Sequence, residues 1–300
     1  MRESSGRMSV TSRRIAFSRV ATLIGCGAFS AFAFATPVTS VTADLTTVNA
    51  GVMIQAGGKF IPHAMTLTRE KPTFIKKEPG YLGTPVYGIL HFGPARENRI
   101  AVALDSATEG KNARLFLDPG AAGDLTATKI TLTRHAVSMR NAQGQEDEEV
   151  FFEGNEEIRP PGVSGAKLLN LVFYTFAPAS LKKRRLPEGT LFYYRDYGQI
   201  GKITLGGKSY AILLSDELAA GRYDTVTHGQ NDLPRVALLI DRDGDGKFDP
   251  RYERYDLNAP FTIGGVTYEV DKISEDGSKL TLKVSSKSVP EIPIPRKSGE

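Results

Sequence analysis

Leu238-Leu239-Ile240-Asp241-Arg242-Asp243-Gly244-Asp245-Gly246-Lys247-Phe248-Asp249 decides how the rest of this chain reads. An apolar run leads into an aspartate; a glycine follows five residues later, then any residue, an aromatic and a second acid. The same frame is written at Leu213-Leu214-Ser215-Asp216-Glu217-Leu218-Ala219-Ala220-Gly221-Arg222-Tyr223-Asp224. It recurs, with Leu and Thr in place of the aromatic and the second acid, at Leu115-Phe116-Leu117-Asp118-Pro119-Gly120-Ala121-Ala122-Gly123-Asp124-Leu125-Thr126. A strand ending on Asp gives the following turn a carboxylate that accepts backbone N–H bonds, and the glycine takes the positive φ of a sharp reversal. The apolar residue two places on returns to the core. None of this requires a metal, so a structural turn is the minimum expectation for all three copies.

Working outward, Gly88 and Gly93 enclose four residues as Gly201 and Gly206 do, which extends the likeness to the strands upstream. Two related β units follow, centred on 85–127 and 201–249. Short apolar segments bounded by Gly, Pro, Asn or Asp recur at 85–92, 99–105, 114–118, 167–176, 190–194, 199–205, 209–215, 235–241, 266–272 and 279–284. Their length and spacing describe antiparallel strands, and helical periodicity beyond two turns is absent. The chain is expected to be mainly β, with two related antiparallel sheet, sandwich or barrel units. The N-terminal unit, with a degenerate loop, spans 44–180; the C-terminal unit, with the acidic loop, spans 186–288; a Pro-rich extended tail fills 289–300. The acidic run at 146–157 and the basic run Lys182-Lys183-Arg184-Arg185 are both expected to be loops, the second a solvated turn rather than a phosphate or membrane patch.

The third copy alone adds ligands. Asp241, Asp243, Asp245, the backbone carbonyl of Lys247 and Asp249 occupy positions 1, 3, 5, 7 and 9 of a calcium loop, with Gly246 at position 6. Hard oxygens at alternate positions wrap one side of a Ca2+ ion, and three close carboxylates with no cation would repel one another. The second copy has Leu218 and Ala220 in place of Asp243 and Asp245, and the first has Gly120 and Ala122, so neither is expected to bind calcium. Position 12, which takes a bidentate Glu in helical calcium loops, is Tyr252, with Glu253 one step beyond and Pro250 just after the loop. Binding is therefore expected to be weak, near the roughly 10⁻⁴ to 10⁻³ M of extracellular modules.

Residues 241–249 resemble the D-x-D-x-D-G loop of EF-hands, dockerins and many exported bacterial β proteins. Residues 201–210, this loop and 259–270 together resemble a poorly characterised group of exported bacterial β domains, some of which carry a thioredoxin-like domain after the β region. The resemblance implies an ion more than an activity. This chain has no C-x-x-C pair, so the redox activity does not carry over.

The compartment reads from the other end of the chain. Residues 1–35 hold five Arg and one Glu and end in an uncharged run from 20 to 35, the pattern of a signal peptide cut after Ala35, or alternatively after Ala43. Residues 12–17 resemble a twin-arginine signal; 23–26 resemble a lipobox, which makes a lipid anchor through Cys26 the minor alternative. Cys26 is the single cysteine, so a chain cut at 35 has no disulfide, thiolate metal site or cysteine nucleophile. The net charge of +4 belongs to the leader; the remainder is balanced at 33 basic and 33 acidic residues, which argues against nucleic acid. No later stretch approaches 18 apolar residues, so no membrane span is expected in the mature chain.

His63, His91, His135 and His228 stand singly, and no G-x-S-x-G elbow is present. Phe192, Tyr193, Tyr194 and Tyr197 suit a strand with alternating faces better than a sugar platform. The expectation is an exported, soluble, calcium-binding β module of the periplasm or extracellular space, binding or assembling with an unknown envelope partner. The alternative is an extracytoplasmic hydrolase with loop carboxylates and a structural calcium; catalytic residues are not identified for it.

Overall fold

The computed structural model of the chain describes residues 39–49, 51, 61–92, 98–105, 112–140, 146–224 and 236–294. The expected signal peptide at 1–35, Cys26 and His228 lie outside these residues. Among the described residues sixteen strands form two eight-stranded antiparallel sheets, and the two related β units take the form of nearly closed barrels. One holds β2 (His63–Thr66), β3 (Val86–His91), β4 (Arg99–Asp105), β5 (Ala113–Leu117), β6 (Thr128–Arg140), β7 (Glu146–Ile158), β8 (Leu169–Phe176) and β9 (Thr190–Arg195). They run β2-β9-β8-β7-β6-β5-β4-β3. Its edges meet where Thr68, just past β2, exchanges both backbone hydrogen bonds with Tyr87 on β3 at 2.9 and 2.6 Å. The ring of strands is thereby closed.

The other sheet holds β1 (Ser40–Asn49), β10 (Tyr197–Leu205), β11 (Lys208–Asp216), β12 (Val236–Ile240), β13 (Arg254–Asp256), β14 (Phe261–Ile263), β15 (Val266–Ile273) and β16 (Lys279–Val284). Its order is β13-β12-β11-β10-β1-β16-β15-β14. The two edge strands are consecutive in the chain, and the Tyr255 and Phe261 rings lie 4.8 Å apart across the gap. β1 sits between β10 and β16, and β9 between β8 and β2, so each sheet takes one strand from across residues 180–186. A cut after Ala43 would sever β1.

The sequence repeat is a repeat in space. Gly88 pairs with Val102 and Val102 with Leu117, the residue before Asp118. Gly201 pairs with Ile212 and Ile212 with Ile240, the residue before Asp241. Asp118 N–H donates to Ala101 O at 3.1 Å and Asp241 N–H to Ala211 O at 3.0 Å, again at matching positions. A Cβ on Gly88 would collide with Leu67, and one on Gly201 would lie 2.6 Å from Leu45 Cδ2, so both glycines admit a crossing element.

Strand alternation fills the barrel interiors. Ile100, Val102, Leu104, Leu115, Leu117, Leu132, Leu171 and Phe173 lie in one continuous apolar core with Ile212, Leu214, Leu238, Ile240, Leu280 and Leu282. The first and third loops also cover an outer face, whereas Tyr223 of the second joins the continuous core. Leu125 packs with Ala101, Ala103 and Phe116, and Phe248 packs with Leu213, Ala237 and Leu239.

Two expectations are corrected. Residues 146–157 form β7 rather than a loop. Phe152 and Ile158 are buried on its inner face and backbone bonds run to β6 and β8, which outweighs the low strand preference of its acids. The basic run is not a free turn: it closes the helix α1 (Pro178–Lys183), where Lys183 pairs with Asp147 and Arg184 with Glu149. Two ion pairs thus join the charge runs, and the Arg184 guanidinium holds the Glu149 carboxyl below its ordinary range.

Among the described residues no helix is long and apolar enough to cross a membrane.

Candidate metal centre

All three aspartate turns share one backbone. Residues three and five after the aspartate take positive φ: Ala121 and Gly123 at 52° and 81°, Ala219 and Gly221 at 50° and 68°, Gly244 and Gly246 at 77° and 80°. This lets the carboxylate cap the turn from inside. Asp118 accepts Ala122 N–H at 3.1 Å and Gly123 N–H at 2.5 Å. Asp216 accepts Gly221 N–H at 2.6 Å, and Asp241 accepts Gly244 and Gly246 N–H at 2.7 and 3.1 Å. The returning apolar residues Leu125, Tyr223 and Phe248 are all buried. The turn expected from sequence is therefore present in every copy.

What distinguishes the third copy is the return path. Asp249, Pro250, Arg251 and Tyr252 make one turn in which Glu253 N–H donates to Asp249 O at 2.8 Å. That turn brings the Glu253 side chain back beneath the loop. Its Oε1 accepts Arg242 N–H at 2.7 Å and its Oε2 accepts Asp249 N–H at 2.8 Å. Glu253 also backs onto the strand that feeds the loop, since Ile240 N–H donates to Glu253 O at 2.9 Å.

Asp241, Asp243 and Glu253 consequently offer carboxylate oxygens within 4.8 Å of one another. Asp241 and Glu253 are buried, 7% and 3% exposed, whereas Asp243 is open to solvent. Burial, aided by the nearby Asp243 charge, pushes the Glu253 carboxyl above its ordinary pKa, against the backbone N–H bonds that lower it. Each carboxylate oxygen has a second lone pair, so an N–H bond leaves room for a cation. Three hard oxygens converging on one point are a donor set for Ca2+ or Mg2+ rather than for a soft metal.

Of the residues singled out from sequence, Asp241 and Asp243 are brought together. Asp245 and Asp249 are exposed, their carboxylates accept Lys247 and Arg251 N–H at 2.8 Å each, and they stand outside the trio. Lys247 is also exposed. Glu253 is the residue that position counting misses: it is thirteenth in the loop, and the helical turn begun at Pro250 supplies the extra step. In the first copy the strand partner of Leu117 is Thr128, the place Glu253 holds beside Ile240, so that copy lacks this acid as well.

The aromatic run divides as strand alternation requires. Phe192 stacks with Tyr174 at 4.9 Å, Tyr193 meets His63 and Phe173 on the other face, and Tyr197 is fully buried. The four rings make no common platform. His63 bonds Glu217 O at 3.1 Å and His135 stacks on Phe151, so these two are structural.

The C-terminal segment is tied to the loop. The Arg242 guanidinium donates to Ile292 O at 2.6 Å and to Glu291 Oε1 at 2.5 Å, while Glu291 accepts Gly264 and Gly265 N–H at 3.3 and 3.2 Å.

Comparison with protein-family models, with curated proteins and with solved structures finds no match to this chain.

Proposed function

We propose that the turn 241–253 binds one Ca2+ ion and that the chain is an exported β module whose loop, stiffened by the ion, serves binding or assembly at the cell envelope. The observation that carries this reading is the convergence of Asp241, Asp243 and Glu253 beneath a loop with oxygens at alternate positions. In the proposed complex those three carboxylates supply the inner donors, and Asp245, the Lys247 carbonyl, Asp249 or water complete the six to eight oxygens that calcium takes. The ion offsets the repulsion between Asp243 and Glu253, and the strand connection from β12 to β13 loses freedom. Export is supported by the leader-like residues 1–35.

Calorimetric titration of the purified chain with CaCl2, with thermal melts at 0 and 10 mM calcium, tests the metal. At a dissociation constant near 1 mM the expected rise in Tm is about 2–5 °C. Asp243→Ala changes an exposed side chain, so it should abolish the rise while leaving the calcium-free Tm nearly unchanged. Titration without heat of binding, or a rise that survives Asp243→Ala, overturns this assignment. Recovery of a specific envelope component with the calcium-loaded chain, lost on chelation, tests the role; recovery indifferent to chelation overturns it.

A further inference from the structure

The closed barrel of β2 to β9 is not filled to its end. A cavity of about 350 Å³ opens at the mouth beside α1, walled by Leu67, Val86, Leu104, Phe152 and Leu181. Leu67, Leu104, Phe152 and Leu181 are buried, and the small Ala113 and Gly189 leave the space unfilled. Eight strands enclose an interior just wide enough for packed side chains or one small ligand, and barrel mouths are a recurring place for such sites.

Its rim carries both signs of charge. Arg69 and Glu188 line the opening and are exposed. They stand on adjoining chain segments, because Leu67 N–H donates to Gly189 O at 3.1 Å. Among the described residues neither forms an ion pair, with the other or with a third group. An anionic amphiphile would meet Glu188 and a cationic one would meet Arg69, so either suffers a like charge at the rim. A molecule with an apolar body and adjacent carboxylate and ammonium groups satisfies both and still fills the barrel end.

We propose that this mouth binds an apolar α-amino acid, with its side chain among Leu67, Val86, Leu104 and Phe152, its carboxylate toward Arg69 and its ammonium toward Glu188. The site is separate from the acidic loop and does not depend on calcium.

Calorimetric titration of the full chain with L-phenylalanine, 3-phenylpropanoate and phenethylamine tests it, the last two each lacking one charge. L-phenylalanine should bind, and each single-charge probe should bind about twofold to fivefold more weakly, the span expected of exposed ion pairs. Arg69→Gln should remove the advantage over phenethylamine, and Glu188→Gln the advantage over 3-phenylpropanoate. Thr84→Trp places a bulky ring at an exposed position of the mouth and should abolish uptake; the two Gln variants keep the proposal testable should that one fail to fold. No heat with L-phenylalanine, a single-charge probe that binds as tightly, or unchanged binding by folded Thr84→Trp overturns the proposal.

Discussion

Glu253 Oε1 accepts the backbone N–H of Arg242 at 2.7 Å, so the acid that closes the loop holds the second residue of that same loop in place. Arg242 in turn reaches the C-terminal segment. Loop, buried acid and segment 289–292 thus form one connected unit, although 241 and 292 are far apart in the chain.

Glu253→Gln separates the structural from the ionic role of this side chain. One amide oxygen can still accept N–H bonds, but the charge and the second acceptor are gone. Calcium binding is expected to weaken at least tenfold, and calcium-free stability to fall by about 1–3 kcal/mol, the cost of leaving a buried donor without a partner. Calorimetry and urea unfolding of the same preparation check both. A variant that keeps the calcium affinity of the parent would remove Glu253 from the site.

Arg242→Ala should release the C-terminal segment. Its side chain is 8% exposed, and its loss removes the donor to Glu291 Oε1 and to the Ile292 carbonyl. Limited proteolysis read by mass spectrometry should show cleavage after Lys287 several-fold faster than in the parent, with the barrels still intact. Equal cleavage rates would mean that the bonds from Gly264 and Gly265 N–H to Glu291 and from the Thr262 hydroxyl to Val289 O hold the segment without Arg242.

Asp216 should make stability fall as pH rises. It is 0% exposed; burial raises its pKa above the ordinary aspartate value, opposed chiefly by the Tyr197 hydroxyl that donates to Oδ2 at 2.6 Å. The folded chain therefore holds a proton that the unfolded chain has already lost. The stabilisation from this group is full below the ordinary aspartate range and disappears as pH climbs through the raised value. Asp216→Asn cannot ionise, so its stability relative to the parent should increase between pH 4 and neutrality. Urea unfolding at several pH values checks this; parallel profiles for the two proteins would refute it.

Gly221→Ala should be the most damaging change in the second turn. φ is 68° there, and an added Cβ would lie 2.5 Å from Pro160 Cγ and 3.2 Å from Phe92 Cδ1. Backbone strain and overpacking add to a loss on the order of 2–4 kcal/mol. The same substitution at Gly246, with open space around its Cβ, carries the strain alone and should cost on the order of 1–3 kcal/mol.

The amino-acid sequence by itself determined the strands with apolar runs, the aspartate turn and its three copies. β4 spans Arg99–Asp105 and β16 Lys279–Val284, as their apolar patterns indicate, because burial and turn chemistry act over a few neighbouring residues. Long-range partners decided the rest. β7 is a strand because β6 and β8 pair with it and α1 supplies cations to its acids, neither of which is written within 146–157. Glu253 enters the trio because the turn after Pro250 adds one residue and the β12–β13 pairing swings the side chain inward, a distance in space that counting positions along a loop cannot measure.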